Sequence, residues 1–414
     1  MKTLTATLAL IGAVTLALST TPAHAACPVS NGSVRILGND FPAIQAVAAG
    51  AESCAANAEF SKNLTSEHLA IAVEALTVNP AQYTTQIIAN SSIVALLNEG
   101  LIRPLDNYIA DSDQFFKNTQ LISIDGEVMA IAFMANAQHL FYREDILREA
   151  GITAPPATYE EVLAAARRIK DLGILEYPVG GTYKAGWNLG EEFVNMYFGY
   201  GGELFKSGSA EPNINNSTGE ATLAMMQRLA LFMNPDFLTH DSNAIQAEFE
   251  AGNIALANLW GSRAAAVTDN EGSTPAIAGA IKFAGAPTVG GGDIPATTMW
   301  WDGFTVAKNI SDEDARATFD ALAHGASAEI ANANSDAAVW LTDGFQPGPA
   351  AGGVLASAEA GARPYPMLPY IGLLHTALGN ELVEFMQGRE TAKQALRDVE
   401  AAYTAAAKEA GFLQ

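Results

Sequence analysis

The chain of 414 residues is 49% hydrophobic and 16% charged, and its 45 acidic against 22 basic residues give a formal net charge of −23. This length and apolar content suffice for the cores of two or three domains and exclude a disordered chain, while two cysteines are too few for a disulfide scaffold. Because so acidic a surface repels phosphate backbones and anionic headgroups, the composition argues against binding to nucleic acid or to a membrane surface.

The first 25 residues predict a cleaved export signal. Lys2 supplies a positive start, residues 4–18 are apolar apart from Thr and Gly, and Ala23-His24-Ala25 gives the small-x-small pattern of a cleavage site. An apolar run of about 15 residues is short for a membrane span. We therefore predict cleavage after Ala25 and export of a soluble mature protein.

The two cysteines, Cys27 and Cys54, are predicted to form a disulfide, since thiols usually pair in an oxidising compartment. A predicted strand over residues 33–37 and a returning helix over 42–55 place Cys54 beside the start of that strand, near Cys27. Closing a loop of this size would stabilise the fold by about 3 kcal/mol. The alternative is a lipid-anchored Cys27, but His24 occupies a position where a lipoprotein signal carries an aliphatic residue.

From residue 33 the chain alternates short β-rich runs with helical runs. Strands are predicted over residues 33–37, 59–65 and 83–89, and helices over 42–55, 66–78 and 92–99. Such alternation with short connections indicates right-handed βαβ units and an α/β fold with mostly parallel sheets.

Ligands of such sheets lie beyond the carboxyl ends of the strands, so the residues that follow each predicted strand are candidate binding residues. The candidates after the first and third strands are Asn39, Asp40, Phe41, Asn90 and Ser91. Ser66 is predicted to cap the second helix, and the alternative is that Asp40 and Ser91 likewise only cap the helices that follow them.

Further along, strands are predicted over residues 128–133 and 139–142, separated by a polar break that contains Asn136 and Gln138. Thr158, with Glu161 three residues later, predicts a capping box. The remaining predicted elements are helices over 159–172, 218–232 and 242–250, a strand over 254–259 that leads into Trp260 and Arg263, a helix capped by Ser311, and helices over 381–385 and 392–410.

The sequence contains none of the common catalytic or metal-binding motifs. Its six histidines and two cysteines show neither HExxH nor CxxC spacing, and no Walker loop, dinucleotide fingerprint or GxSxG elbow occurs. We therefore predict no catalytic residue, no metal and no cofactor. A carboxylate pair of the kind used by glycoside hydrolases is a spatial arrangement, so it stays open, but no pair is singled out.

All five tryptophans lie between residues 187 and 340, and several stand at predicted strand ends or turns, namely Trp187, Trp260 and the pair Trp300–Trp301. An indole face packs on the C–H face of a sugar ring, while neighbouring Asn, Asp, Arg or Gln side chains hydrogen-bond the hydroxyls. Adjacent tryptophans on a strand cannot both face inward, so one ring of the pair is predicted to line a cleft. Trp340, within an apolar run, is interpreted as a core residue.

Several segments resemble family 1 extracellular solute-binding proteins, the sugar-binding receptors of bacterial ABC importers that include maltose-binding protein. The segments, in the family's order, are 125–131 (DGEVMAI), 142–152 (YREDILREAGI), 155–161 (PPATYEE), 201–202 with 215–217 (GG and NNS), 249–256 (FEAGNIAL) and 388–396 (GRETAKQAL). Residues 84–88 depart from the family's pattern.

The resemblance implies a two-lobe periplasmic-binding-protein fold of type II, in which two α/β lobes with mostly parallel central sheets are joined by a multi-strand hinge and close on the ligand. It places the N-terminal lobe at residues 26–135 plus 284–325 and the C-terminal lobe at 136–283 plus 326–414. It further implies a monomer in the periplasm that binds a small molecule and the permease subunits of an ABC importer, with no nucleic-acid binding and no membrane insertion.

The function predicted on this basis is the capture of a small neutral polyhydroxylated solute, a sugar or polyol, without chemical change to it. The predicted substrate-binding residues are Asn39, Asp40, Phe41, Asn90, Ser91, Asn136, Gln138, Trp187, Trp260, Arg263, Trp301, Asp302, Phe345, Gln346 and Arg363. Two alternatives stay open. Clustered tryptophans with acidic neighbours also suit a quaternary ammonium or a polyamine, and a secreted carbohydrate-active hydrolase would use the same residue types.

Overall fold

The computed structural model describes residues 29–55, 58–112 and 114–414, so the predicted export signal and Cys27 lie outside the described residues. The strands are β1 (Ser33–Gly38), β2 (Glu59–Leu64), β3 (Thr85–Ala89), β4 (Leu121–Ile124), β5 (Glu127–Asn136), β6 (Gln138–Arg143), β7 (Val179–Gly180), β8 (Leu256–Trp260), β9 (Ile281–Ala284), β10 (Thr298–Phe304), β11 (Val339–Trp340) and β12 (Arg363–Pro364).

The α-helices are α1 (Pro42–Cys54), α2 (His68–Thr77), α3 (Ile93–Asn98), α4 (Asp106–Ala110), α5 (Glu144–Glu149), α6 (Tyr159–Asp171), α7 (Trp187–Gly199), α8 (Ser217–Ala230), α9 (Ser242–Glu250), α10 (Ala264–Thr268), α11 (Pro275–Ala280), α12 (Asp312–Gly325), α13 (Ala328–Ala333), α14 (Gly352–Glu359), α15 (Ile371–Met386) and α16 (Ala392–Glu409). Within the described parts of the chain, no helix combines the length and the apolarity needed to cross a membrane.

Two helix starts predicted from capping residues are confirmed. The Thr158 side chain accepts a hydrogen bond from the backbone N–H of Glu161 at the start of α6, and Ser311 accepts from the N–H of Asp314 at the start of α12, both at 3.1 Å. Carboxylates in the first turn of each helix complement the positive end of the helix dipole. These helices therefore begin where local chemistry favours a start.

Neither polar residue after β1 or β3 caps the helix that follows it. α1 has Phe41 at its N-cap with no side-chain cap, and Asp40 instead accepts a hydrogen bond from Gln45 Nε2 at 2.7 Å. α3 has Ser92 at its N-cap, again with no side-chain cap, so Ser91 does not cap it. The capping alternative is therefore wrong for Asp40 and for Ser91.

Two further helix boundaries differ from the prediction. α2 begins at His68 with no side-chain cap, so the predicted cap at Ser66 is wrong. α15 begins ten residues earlier than the predicted start at residue 381 and contains Gly379 in its interior. A Cβ at this glycine would collide with the backbone of Gly186, so close packing between α15 and the start of α7 accounts for Gly379.

The two sheets are mixed in strand direction. The first has the order β11-β5-β10-β3-β1-β2, with β12 beside β10 and β4 beside β5, and the second has the order β7-β8-β6-β9. Six of the ten pairings between described strands are antiparallel, which corrects the predicted mostly parallel sheets. The antiparallel pairs arise where the chain passes between the two sheets. β10 runs antiparallel to β5 in the first sheet, and β6 runs antiparallel to β8 and β9 in the second.

Each sheet has its own apolar cluster, which confirms an α/β fold built on two sheets. One cluster packs α1 and α12 against the first sheet through residues such as Val47, Phe133 and Phe319. A larger cluster packs α7, α8, α15 and α16 together around residues such as Phe193 and Leu378 beside the second sheet. Smaller apolar clusters lie beside both sheets, and one of them contains Ala137 at the link between the sheets.

The predicted lobe boundaries stay a prediction, and the packing of the chain is informative about the two placed near residues 284 and 326. Ala331 and Trp340 belong to the cluster of the first sheet, whereas Val289 and Ala296 belong to the cluster of the second. We therefore propose that residues 287–297 pack with the second lobe and that the third crossing follows residue 340, not residue 326.

Candidate functional site

The two sheets meet at the short link between β5 and β6. Asn136 ends β5 and Gln138 begins β6, so Ala137 alone separates the two strands. β3 ends opposite Asp302 of β10 and β5 ends opposite Trp300, both at this edge of the first sheet, and β8 ends beside Gln138 in the second sheet. Residues at these strand ends therefore face the junction, which is where α/β sheets bind ligands.

Three tryptophans from different elements converge at this junction, and we call them the tryptophan platform (Trp187, Trp260 and Trp300). The ring centroid of Trp187 lies 6.3 Å from that of Trp260 and 5.5 Å from that of Trp300. The rings of Trp260 and Trp300 lie 5.7 Å apart and nearly perpendicular. Trp187 is 40% exposed and Trp300 only 6%, so Trp187 offers the most accessible ring.

The structure separates the adjacent pair on β10. Trp300 turns toward the platform, whereas Trp301 packs on the opposite face of the strand with the cluster that contains Ile88 and Met129. Asp302 follows Trp300 by two residues and therefore shares its face of the strand. Trp300, which was not among the predicted binding residues, thus occupies the place expected for Trp301, and Trp301 lies away from the platform.

Asp302 presents a carboxylate that has no hydrogen-bond or ionic partner among the described residues. Part of the side chain stays accessible at the junction. Burial of the rest raises the pKa of this carboxyl to about 7, and no neighbouring cation opposes the shift. A carboxylate so placed is suited to accept hydrogen bonds from hydroxyl groups of a solute.

Gln138 lies in a buried polar network next to Trp260. Its Nε2 donates to Thr182 Oγ1 and to Glu192 Oε1, both at 3.1 Å, and its Oε1 accepts from Asn195 Nδ2 at 3.3 Å. Burial raises the pKa of Glu192 to about 7, although hydrogen bonds from Thr182 and Gln138 favour the charged form. Because Gln138 is 1% exposed and both ends of its amide are engaged, it supports the junction from within.

Glu191 connects the platform to α7. Trp300 Nε1 donates to Glu191 Oε1 at 3.1 Å and to Thr298 Oγ1 at 2.8 Å. Burial raises the pKa of Glu191 to about 8, and the neighbouring charge of Glu192 acts in the same direction. Neither glutamate was among the predicted site residues, although two adjacent carboxyls within an otherwise apolar and aromatic segment (WNLGEEFVNMYFG) are a usable signal.

Asn136 and Arg263 lie on either side of the turn that follows β8. The Asn136 Oδ1 accepts from the N–H of Ser262 at 3.3 Å, which ties the end of β5 to this turn. Arg263 is half-buried and donates to Gln246 Oε1 at 3.4 Å. Burial lowers the pKa of its guanidinium, and the charge of Asp241 opposes this shift. Since this contact uses one of five N–H donors, Arg263 retains donors for a solute.

Asn90 joins β3 to β10 at the same edge. Its Nδ2 lies 3.3 Å from the carbonyl of Met299 and 3.4 Å from the carbonyl of Tyr365 and donates to them. Asn90 is 1% exposed, whereas Ser91 is half-buried beside it. The structure therefore places Ser91 at the accessible rim of the first sheet and Asn90 within it.

The predicted residues after β1 lie farther from the platform. β1 is two strands away from β10, which corresponds to about 10 Å at the usual strand spacing. Asn39 accepts from the N–H of Asp40 at 2.8 Å, and both stay at the rim. Phe41 packs instead against the apolar cluster of the first sheet.

Phe345, Gln346 and Arg363 also lie away from the platform. Phe345 packs against the cluster of the first sheet, and Gln346 is exposed in the same loop. Arg363 donates to the Glu203 carboxylate at 2.8 Å and lies 5.4 Å above the ring of Phe198. Because Phe198 follows Trp187 by eleven positions in α7, this guanidinium stands about 16 Å along the helix from Trp187, although the backbone of Arg363 pairs with Thr298 of β10.

The junction is equipped for stacking and hydrogen bonding. The platform presents indole surface and Asp302 presents an acceptor, while Arg263 keeps unused donors in the turn that follows β8. In the part of the chain that the structure describes, no group of three or more His, Cys, Asp or Glu side chains could hold a metal ion. Glu191 and Glu192 are buried and hydrogen-bonded, so neither reaches a solute unless the core opens.

Comparison with known proteins places most of the chain in one family. Residues 55–340 match the family described as bacterial extracellular solute-binding protein. A putative binding protein of Brucella abortus strain 2308 is 24% identical over 181 residues, and a probable ABC transporter-binding protein of Deinococcus radiodurans is 27% identical over 186 residues. These matches cover 41% and 43% of this chain and 42% and 43% of the relatives, so the chain spans about two fifths of the length of these curated relatives.

Solved structures with a similar fold cover nearly the whole chain. The maltose-bound MalE3 of T. maritima has a TM-score of 0.76 at 15% identity and covers 90% of this chain and 99% of its own. An ABC transporter solute-binding protein of Agrobacterium vitis S4 with bound D-mannitol has a TM-score of 0.76 at 19% identity, with 93% and 100% covered. One of Agrobacterium radiobacter K84 in complex with ribitol has a TM-score of 0.75 at 18% identity, with 89% and 97% covered.

At these identities the structural likeness shows a shared two-lobe fold. The match to the family covers more than half of the chain and includes β2 to β10, the strands that form the junction. The protein therefore belongs to the bacterial extracellular solute-binding proteins.

Proposed function

We propose that the protein is the solute-binding component of an ABC importer, which captures a small neutral polyhydroxylated solute at the junction and presents it to a membrane permease. The observation that carries the ligand class is the tryptophan platform beside the unpartnered Asp302 carboxylate. Indole surface packs on the C–H groups of a sugar or polyol, and a carboxylate accepts hydrogen bonds from its hydroxyls. Bound maltose, D-mannitol and ribitol in proteins of the same fold support this class.

Binding is coupled to closure because the two sheets supply different parts of the site. Trp300 and Asp302 lie on β10 of the first sheet, whereas Trp187 and Trp260 belong to elements of the second. A solute that contacts both groups stabilises the arrangement in which they approach each other. The closed form is then the shape that the permease recognises.

A cationic solute is the second candidate, and Asp302 favours it because a carboxylate without a counter-ion attracts an ammonium group. The platform itself argues against an aromatic cage. Its rings contact one another at centroid distances of 5.5–6.3 Å, which leaves no space for a quaternary ammonium between them. A cation would have to lie over the outer face of Trp187.

We further propose that the bound solute leaves chemically unchanged. The two adjacent carboxyls near the platform, Glu191 and Glu192, are buried and bonded to the protein, so they are unsuited to act as the acid and nucleophile of a glycosidase. The expected result is full recovery of maltose after prolonged incubation with the protein. Release of glucose in excess of the protein would refute the receptor function.

We also propose export to the periplasm, cleavage after Ala25 and a Cys27–Cys54 disulfide. Cys54 is the last residue of α1 and is buried, as expected for a cysteine in a structural disulfide. Mass spectrometry of the exported protein, with and without reduction and alkylation, tests all three points. A lipid adduct on Cys27 or two alkylated thiols without reduction would contradict the disulfide.

The proposed ligand class is tested by thermal unfolding and calorimetric titration with maltose, D-mannitol, ribitol, choline and spermidine. A ligand that binds only the folded state raises the unfolding temperature. We expect stabilisation by a neutral member of this panel that is unaffected by ionic strength. Stabilisation by choline or spermidine alone, weakened by salt, would establish the cationic alternative.

A further inference from the structure

Trp187 is supported from behind by a buried histidine. The ring of His375, on α15, lies 4.9 Å from the Trp187 ring at an interplanar angle of 23°. His375 is 3% exposed, whereas Trp187 is 40% exposed. One face of the indole is therefore covered by the imidazole, and a solute can stack only on the other face.

Hydrogen bonds fix both nitrogens of this histidine. Its Nε2 lies 2.8 Å from the backbone carbonyl of Trp187, and its Nδ1 lies 2.8 Å from the Tyr365 hydroxyl. A carbonyl only accepts, so Nε2 carries the proton. Burial lowers the pKa of His375 to about 4, so the ring is neutral at pH 7 and Nδ1 accepts from Tyr365. The imidazole consequently has one tautomer and one orientation.

Two glycine contacts hold the helices that carry these rings close together. A Cβ at Gly190 of α7 would lie 2.8 Å from the His375 carbonyl oxygen and 2.9 Å from its Cδ2. Next to this contact, the N–H of Gly186 donates to the carbonyl of Gly379 of α15 at 3.0 Å. α7 and α15 therefore leave the imidazole no room to turn away from Trp187.

Tyr365 continues the connection into the first sheet. Its ring lies 4.2 Å from that of Trp300, and its backbone N–H donates to the Met299 carbonyl at 3.0 Å. Its carbonyl accepts from Asn90, the buried residue that follows β3. The contacts Trp187–His375–Tyr365 thus join the exposed ring of the platform, which belongs to the second lobe, to β3 and β10 of the first sheet.

We propose that His375 is a positioning residue of the solute site, which holds Trp187 at a fixed angle and couples that angle through Tyr365 to β10. The coupling to binding rests on the proposed function, whereas the positioning of the ring does not. Removing the imidazole frees the indole to rotate, so a stacked solute loses contact area with the ring. Binding of the solute is then no longer coupled through Tyr365 to β10 of the first sheet.

The positioning is tested without ligand by ¹⁹F NMR of protein labelled with 5-fluorotryptophan, in which Trp187→Phe identifies the Trp187 resonance. We expect His375→Ala to shift and broaden the Trp187 resonance while the Trp340 resonance stays in place. His375→Phe keeps a stacked ring without either nitrogen, and Tyr365→Phe removes only the hydroxyl, so both should give smaller shifts of the Trp187 resonance. An unchanged Trp187 resonance in all three variants would overturn the proposal.

Tyr403→Phe is the matched control for Tyr365→Phe. Tyr403 is equally buried in the same apolar cluster, and its hydroxyl donates to the Ala210 carbonyl at 2.6 Å, away from the platform. It should leave the Trp187 resonance in place. If Tyr403→Phe moves this resonance as far as Tyr365→Phe does, or if all five tryptophan resonances move together, a general loss of packing explains the result and the proposal fails.

The coupling to binding is measured with maltose, D-mannitol and ribitol. His375→Ala is expected to weaken the tightest of these by up to about tenfold, with a smaller loss in His375→Phe, because a stacked aromatic pair contributes about that much. Wild-type affinity in a variant whose Trp187 resonance has moved would overturn the coupling. If the wild-type protein binds none of the three, the proposed ligand class fails, and the NMR result still decides the positioning.

Discussion

Tryptophan rings occur in two parts of this molecule with different surroundings. Trp340 is 3% exposed, packs with Phe133 at 6.2 Å and donates its N–H to the Asn334 carbonyl at 2.9 Å, within the apolar cluster of the first sheet. Trp300 of the platform donates its N–H to Glu191, and behind it lies a network of buried carboxyls and amides. Aromatic packing at Trp340 thus serves stability, whereas at the platform it presents a surface on a polar, titratable support.

The largest expected effect is a loss of folding stability when the ring of Trp340 is removed, with no effect on solute binding at the platform. Trp340→Ala should lower the free energy of unfolding by about 3–5 kcal/mol, because a large buried ring is removed and a cavity is left. Chemical denaturation measures this loss, and titration below the new melting temperature should give unchanged solute affinity. A loss of affinity comparable to the loss of stability would show that the two regions are not independent.

Trp187→Ala should have the opposite profile. Trp187 is 40% exposed against 3% for Trp340, so the cost in unfolding free energy should be below that of Trp340→Ala. Solute affinity should fall by about 10- to 100-fold, because the most accessible stacking surface is lost. Calorimetric titration with the solute identified in the panel measures this change, and wild-type affinity would contradict the assigned role of the ring.

A pH dependence should distinguish the polar support of the platform from the apolar surroundings of Trp340. Glu191 and Glu192 have pKa values raised to about 8 and about 7, so the folded state retains protons that the unfolded state has lost. Stability therefore falls as pH rises, by on the order of 1–2 kcal/mol between pH 7 and 8.5.

Two buried histidines, His139 and His375, make a smaller contribution of opposite sign to the pH dependence of stability between pH 7 and 8.5. The pKa values of His139 and His375 are lowered to about 4, so below pH 6.5 the unfolded state binds more protons and stability rises with pH. Above pH 7 this contribution is nearly complete and the glutamates dominate. Denaturation of wild type and Glu191→Gln across pH 7–8.5 measures the difference; we expect a flatter profile in the variant, and identical profiles would contradict the assignment.

The smallest expected effect concerns Asp302, whose pKa is raised to about 7. Asp302→Asn should weaken a neutral polyol only a few-fold, because an amide still accepts a hydrogen bond, though without the gain from charge. It should also reduce the change of affinity between pH 6 and 8, since the titration of Asp302 is removed. A far larger loss, confined to choline or spermidine, would instead mark Asp302 as the counter-ion of a cationic solute.

Much of the local structure was predictable because its causes are local. Thr158 and Ser311 cap helices with side chains that lie next to the N–H groups they satisfy. Trp340 was correctly assigned to the core from the apolar run around it. Gly379 shows the limit of such signals, since a glycine that resembles a helix end is required for contact with a residue almost two hundred positions away.

Sequence patterns alone were enough to predict the α/β alternation, the order of the family's segments and the confinement of the five tryptophans to residues 187–340. Which ring of the pair on β10 joins the platform depends on the packing of that strand in three dimensions. This strand is buried on both faces, by the cluster of Trp300 on one side and that of Trp301 on the other, so no alternation of polar and apolar residues marks a face. The meeting of Trp187, His375 and Tyr365 likewise depends on how α7 and α15 pack, which no local pattern encodes.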